Sequence, residues 1–188
     1  ACGGGGDDPA PPSVTVTEQS WATRFGTSST QSHYDVATDA RPEQVKPLFR
    51  RALLIGRRFR IVHVVIGQET IEVSTFRADD TQGAEKDAHG RVLRDNVFGT
   101  QEQDARRRDF SVNALYYDPN TEEVIDFHGG LADLKKRTLR MIGTAETRYR
   151  EDPVRMQRAV SFASRLDFTI DQPIGDAIGR LRGQTPQQ

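Results

Sequence analysis

The chain has 188 residues, of which 28% are charged, with 26 basic and 27 acidic side chains and a net charge of -1. That balance excludes a wholesale polyanion binder, and the single cysteine, Cys2, excludes an internal disulfide framework and a cysteine-rich zinc site. No apolar run approaches the roughly 20 residues that span a bilayer, and no signal-like leader is visible, so the expectation is a cytoplasmic protein without a membrane partner. Basic residues still cluster at Arg50-Arg51, Arg57-Arg58-Arg60 and Arg106-Arg107-Arg108, which allows a local basic face.

Residues 1 to about 31 show no sustained period; the Gly3 to Gly6 run, Pro11-Pro12 and the Ser/Thr scatter after Thr27 predict disorder. His33-Tyr34-Asp35-Val36-Ala37 then alternates as a short strand. A helix capped by Thr38 or Asp39 opens at Pro42, and Pro47 keeps it short or kinked. Ala52 to Ile55, Phe59 to Ile66 and Thr70 to Phe76 read as strands, and Ala78 to Arg91 as a polar, mobile loop. Gln101 to Leu115 reads as one helix, and Tyr116-Tyr117 with Val124 to Phe127 as a hairpin about Asp118-Pro119-Asn120. After Gly129-Gly130 come a short helix from Leu131 to Lys135 and a strand from Leu139 to Ile142. From Pro153 a helix places Met156, Ala159, Val160 and Ala163 on one stripe. Strands and helices mix without strict alternation, which predicts an α+β fold.

Two charged runs stand inside core-like segments: Arg107 to Leu115, and Arg150 to Ala159. An arginine fork reads phosphates and planar base edges, and a neighbouring carboxylate accepts from a ribose hydroxyl or an exocyclic amine. Arg107, Arg108, Asp109 and Asn113 are therefore candidate phosphate or ribose contacts, the plain alternative being a solvated basic helix. Asp152-Pro153 is a helix N-cap with a following proline; Arg155 and Arg158 at intervals of three share its first turns. Asp152 with Arg155 reads either as a base-edge reader or as a surface ion pair. His33 and Asp35 project from one strand face, where oxygen ligands would hold divalent ions, and Glu72 is a candidate third carboxylate. His63 reads as a satisfied core or edge histidine.

From His33 to Asp171, about three quarters of the chain, these segments resemble the class II nucleotidyltransferases of the polymerase-β superfamily, which include bacterial poly(A) polymerases and CCA-adding enzymes. The resemblance rests on Asp35 to Gln44, Ile71 to Arg77, Arg107 to Leu115, Gly129 to Leu134 and Glu151 to Ala159, all in order and spacing. Leu54 to Val64 and Tyr149 to Met156 look like the poly(A) polymerase branch. The resemblance implies a head domain with a five-stranded mixed sheet, and template-independent transfer of AMP from ATP to an RNA 3′ end. It implies two magnesium ions, with Asp35 and the His33 position as metal ligands and Asp35 and Glu72 as the catalytic carboxylates. Arg107, Arg108, Asp109 and Asn113 would meet ribose and triphosphate, and Asp152, Arg155 and Arg158 would read or hold the nucleotide.

Three departures accompany it. His33 stands where the family has an aspartate, Ser161 where it has an arginine, and the Gly-Gly-x-Val-Arg-Asp-Leu-Leu element upstream is missing. Read from the last base of the Trp21 codon joined to the first two bases of Ala22, and on through Ser29, suitable codons spell Gly-Asp-Ala-Val-Arg-Asp-Leu-Leu, which closely resembles that element. The expected organisation is thus an atypical segment 1–32, disordered or translated out of frame, a nucleotidyltransferase head at 33–143, and the truncated start of a helical, RNA-binding neck at 144–188. The expected activity is poly(A) polymerase-like and impaired in this chain. The alternatives are a CCA-adding tRNA nucleotidyltransferase and an inactive RNA- or nucleotide-binding remnant.

Overall fold

The computed structural model describes residues 14–18, 34–56, 60–78, 85–86, 92–94 and 97–182. In chain order these form β1 (Val14–Glu18), β2 (Tyr34–Thr38), α1 (Pro42–Val45), β3 (Ala52–Ile55), β4 (Ile61–Ile66), β5 (Glu69–Thr75), β6 (Glu85–Lys86) and β7 (Val92–Arg94). There follow α2 (Gln101–Arg107), β8 (Leu115–Asp118), β9 (Glu123–Asp126), α3 (Gly130–Lys136), β10 (Thr138–Leu139), α4 (Ala145–Glu151), α5 (Val154–Leu166), β11 (Thr169–Ile170) and α6 (Gln172–Arg182).

The main sheet runs β3-β4-β5-β2-β1-β8-β9. Its β2–β5 pair is parallel and the other neighbours are antiparallel, so the sheet is mixed as expected. It has seven strands, not five, because β1 pairs with β2 along its whole length and meets β8 through Val16 and Tyr117. The expectation of disorder for the first 31 residues is thereby corrected over Val14–Glu18. Val-Thr-Val-Thr-Glu is a β-branched run that suits a strand once a neighbour supplies its hydrogen bonds. The remainder of that segment, including His33, lies outside the described residues, as do Arg57 and Arg58.

The helix opened by Pro42 stops at Val45 and tightens into a 3-10 turn at Lys46–Leu48, as Pro47 demands. Its cap is Arg41 with Gln44, whose Oε1 accepts the Arg41 amide at 2.8 Å; the Thr38 hydroxyl instead accepts the Ala40 amide.

The expected single helix from Gln101 to Leu115 is the main secondary-structure correction. A Thr100–Gln103 capping box starts α2, but the backbone turns extended at Arg108, a 3-10 turn covers Ser111–Asn113, and Leu115 begins β8. Tertiary bonds override helical propensity here. Ser111 donates to the Arg140 carbonyl and Ile142 to the Asp109 carbonyl, drawing Phe110 into full burial beside Met141.

Of the expected stripe on α5, Ala159 is buried and Met156 and Ala163 pack against the core, whereas Val160 is exposed and Phe162 takes its place. That core gathers Phe110, Val112, Leu139 and Met141 with Ala145, Tyr149, Ala159, Ile174 and Ala177. One apolar cluster therefore runs across the expected head–neck boundary and seats α4, α5 and α6 against the Arg107 to Asn113 segment. Burying a side chain such as Phe110 contributes about 1.5–3 kcal/mol, so this seam is substantial. No helix among the described residues is long and apolar enough to cross a membrane.

Candidate functional site

Parallel pairing of β2 with β5 sets Asp35 opposite Glu72, with Val36 opposite Val73 on the other face. Paired residues on adjacent strands project to one side about 5 Å apart, so two carboxylates converge on one sheet face. His63 on β4 is the next register partner of Glu72, its Nε2 3.1 Å from Glu72 Oε1 but outside hydrogen-bond alignment. Two hard oxygen donors suit a divalent cation such as magnesium. Among the described residues no cluster of three acidic, histidine or cysteine ligands forms. Asp35 and Glu72 are the oxygen donors that this sheet face could offer a cation.

The second part of the site follows α2. Asp109 is buried, and its Oδ1 accepts from the Phe110 amide at 2.9 Å and from Asn113 Nδ2 at 3.1 Å. Asn113 thus meets Asp109 as its spacing suggested, through a 3-10 turn instead of a helix. The other oxygen, Oδ2, accepts from Arg158 Nε at 2.7 Å. The Arg158 guanidinium also lies over the Phe162 ring at 5.4 Å, and half of its side chain stays exposed.

Arg107 and Arg108 turn the other way, onto Asp104. Arg107 Nη2 lies 2.6 Å and Arg108 Nη2 3.2 Å from its two oxygens, and the Tyr116 hydroxyl donates to it at 2.8 Å. Arg108 further bonds the Asn113 carbonyl at 3.1 Å. Burial opposes the charge on Asp104, yet Arg107 and Arg108 outweigh it and hold the carboxyl below its ordinary range. Burial also pushes the Tyr116 phenol up, with Asp104 adding to the rise against the opposing pull of Arg108. Sequence reasoning missed Asp104, although its spacing of three and four residues from the two arginines was a legible signal.

The third part lies where α4 meets α5. Asp152 Oδ1 accepts the Val154 amide at 3.1 Å, as a helix cap does, and Oδ2 lies 3.8 Å from Arg155 Nε. Arg155 is only 16% exposed; its Nη1 reaches Glu151 at 3.3 Å and the Arg148 carbonyl at 3.4 Å. Arg155 is thus largely buried while the Asp152 side chain stays about half exposed, and the two meet at ion-pair distance. Arg148, unremarked in the sequence, sends Nη2 to the carbonyls of Arg107 and Arg108, each at 2.6 Å. Those partners lie 40 and 41 residues away, beyond any local spacing signal.

A structural shelf supports these parts. Asp126 accepts the amides of His128, Gly130 and Leu131 where α3 begins; burial opposes its charge, but these bonds hold it below the usual carboxylate range. Gly130 presses directly on the Ser111 carbonyl, leaving no room for a Cβ, and Asp133 accepts the Ser111 hydroxyl at 2.5 Å while pairing with Arg140.

Residues 26–140 match the Poly A polymerase head domain family. The chain is 50% identical over 154 residues to Poly(A) polymerase I of Escherichia coli, covering 79% of this chain and 33% of that protein. It is 37% identical over 148 residues to the CCA-adding enzyme of Enterococcus faecalis, covering 78% of this chain and 35% of that protein. The crystal structure of the Bacillus stearothermophilus CCA-adding enzyme in complex with CTP superposes with a TM-score of 0.70 at 30% identity, over 90% of this chain and 39% of that one. The chain thus spans about a third of the length of the curated relatives it matches. With the mixed sheet, the paired carboxylates and the Asp109–Arg158 contact in hand, this chain belongs to the poly(A) polymerase head-domain family of nucleotidyltransferases.

Proposed function

We propose that the chain is the head, 33–143, and the start of the neck, 144–188, of a template-independent polymerase that adds AMP from ATP to RNA 3′ ends in the cytoplasm. The observation that carries this reading is the 2.7 Å contact between Asp109 and Arg158, which joins the two charged motifs into one polar unit. In this reading Asp109 and Asn113 receive the ribose and the half-exposed Arg158 faces the triphosphate, while Arg107, turned onto Asp104, braces the segment from its other side. Arg108, bound to Asp104, Tyr116 and the Asn113 carbonyl, shapes the loop from within. Asp152 and Arg155 present an acceptor and a donor side by side, the combination needed to read a base edge without a template.

Asp35 and Glu72 would hold magnesium; in the sequence, His33 takes a position where the family has an aspartate, and an imidazole is a poor substitute for an oxygen ligand. When bound, the ions would lower the pKa of the RNA 3′-hydroxyl and stabilise the leaving pyrophosphate. The chain's own contribution is placement: the sheet face fixes the carboxylates, and the α4–α5 corner fixes the base. Higher identity to the Poly(A) polymerase I relative than to the CCA-adding one favours ATP alone over CTP and ATP.

Extension of a labelled RNA primer with ATP or CTP tests the assignment. ATP-only extension supports it, and label from CTP supports the CCA-adding reading. No extension by this chain, nor by a version carrying His33→Asp and the restored upstream element, leaves the inactive remnant.

A further inference from the structure

We propose that Arg148 is the positioning residue that sets the distance between the ribose-and-phosphate side of the site and its base-reading side, and so determines which base is accepted. This rests on the nucleotide reading above. Arg148 is the one described residue whose side chain grips the Arg107-Arg108 backbone while its own backbone holds both Asp152 and Arg155.

One end of its guanidinium, Nη2, donates to the carbonyls of Arg107 and Arg108 at 2.6 Å, with the Arg106 carbonyl at 3.4 Å. These carbonyls close α2 and immediately precede Asp109. A cation at a helix C-terminus meets the negative end of the helix dipole and satisfies carbonyls that have no intrahelical partner. The other end, Nη1, reaches Glu151 at 3.2 Å, and Glu151 reaches Arg155 at 3.3 Å. The Arg148 carbonyl accepts from the Asp152 amide at 3.2 Å and from Arg155 Nη1 at 3.4 Å. The base reader therefore hangs on the same residue that clamps the segment leading to Asp109.

The fork geometry matters. A planar guanidinium serves carbonyls on one edge and a carboxylate on the other in a fixed plane; an ammonium is a point charge that cannot span both. Arg148 is 13% exposed, so the clamp is largely shielded from competing water. Asp109 keeps its direct bond to Arg158, so a phosphate chain would still meet the Arg158 guanidinium when the clamp is lost. A base read at a displaced Asp152–Arg155 pair would not be recognised equally.

The test measures binding of ATP, CTP and inorganic tripolyphosphate to the full chain and to Arg148→Ala and Arg148→Lys. The expected result is an ATP-over-CTP preference that falls about tenfold in Arg148→Ala, with tripolyphosphate affinity within about twofold of the parent. Arg148→Lys keeps a donor at the carbonyls but loses the bridge to Glu151; it is expected to fold and still lose preference, and it decides the matter if the alanine variant unfolds. An unchanged preference in the variants, or a parallel loss of tripolyphosphate binding, overturns the positioning role alone. A parent chain that binds none of the three probes defeats the nucleotide reading, and the positioning role falls with it.

Discussion

Arg158 on α5 donates to the buried Asp109 carboxylate at 2.7 Å across 49 residues of sequence. Neither partner explains the other locally. The contact exists because the apolar cluster around Phe110, Tyr149 and Ala159 seats the helix against the segment after α2. It brings a cation to the place where the proposed reaction needs an anion receptor.

Replacing Arg158 with alanine separates binding from stability. Its side chain is half exposed but the buried Asp109 carboxylate loses the partner of Oδ2, so folding should weaken by about 1–3 kcal/mol. ATP affinity should fall about tenfold or more, since a charge-assisted contact to the triphosphate is lost. Titration calorimetry alongside urea unfolding checks this. A large stability loss with unchanged ATP binding would contradict the role proposed for Arg158.

Asp104→Ala should behave in the opposite way. It strands Arg107, Arg108 and the Tyr116 hydroxyl around an empty position, and breaking such a buried ion cluster costs about 3–5 kcal/mol. The two arginines are partly exposed, which places the expectation at the lower end. The urea midpoint reports it directly.

Acid should loosen the α3 shelf. Asp126 and Asp104 both titrate below the ordinary carboxylate value in the folded chain. Their stabilisation is complete above the unfolded-state pKa of about 3.9 and is lost as pH falls through their depressed folded values. Asp126→Asn keeps one of the two acceptor oxygens and removes the titration, so its stability should be lower but depend less steeply on pH below about 4. Thermal unfolding at pH 2 to 6 measures the slope; an identical slope in the variant would refute the assignment.

Tyr149 offers a gain. Its hydroxyl is buried without a hydrogen-bond partner among the described residues, and burial pushes its pKa up to about 12. The raised value means stability is complete below the unfolded-state value of about 10 and is lost as pH rises towards 12. Tyr149→Phe should therefore match or exceed the parent stability at pH 7, by about 1 kcal/mol, and unfold less readily above pH 10. Denaturation at pH 7 and pH 11 decides it.

Much of this molecule is legible in its residues. The alternation of Tyr34 to Thr38 and of the Val- and Ile-rich strands, the Asp118-Pro119-Asn120 turn and the short helix before Pro47 all follow local rules, because alternation, turn residues and prolines act within a few positions of the chain. Strand alternation also decides which face Asp35 and Glu72 each take, but that β2 lies beside β5 was settled by the folded sheet.

What escaped is equally specific. Arg107 to Leu115 looks helical until Phe110 finds Met141 and Asp109 finds Arg158, contacts whose partners sit 31 and 49 residues away. Val14–Glu18 is unremarkable until β2 and β8 flank it. Sequence by itself determined which chemical groups the chain carries and the periods on which they recur. Only the tertiary structure decided which of those groups meet, since a buried charge settles wherever the folded chain supplies its counter-charge, and that choice is made across the core.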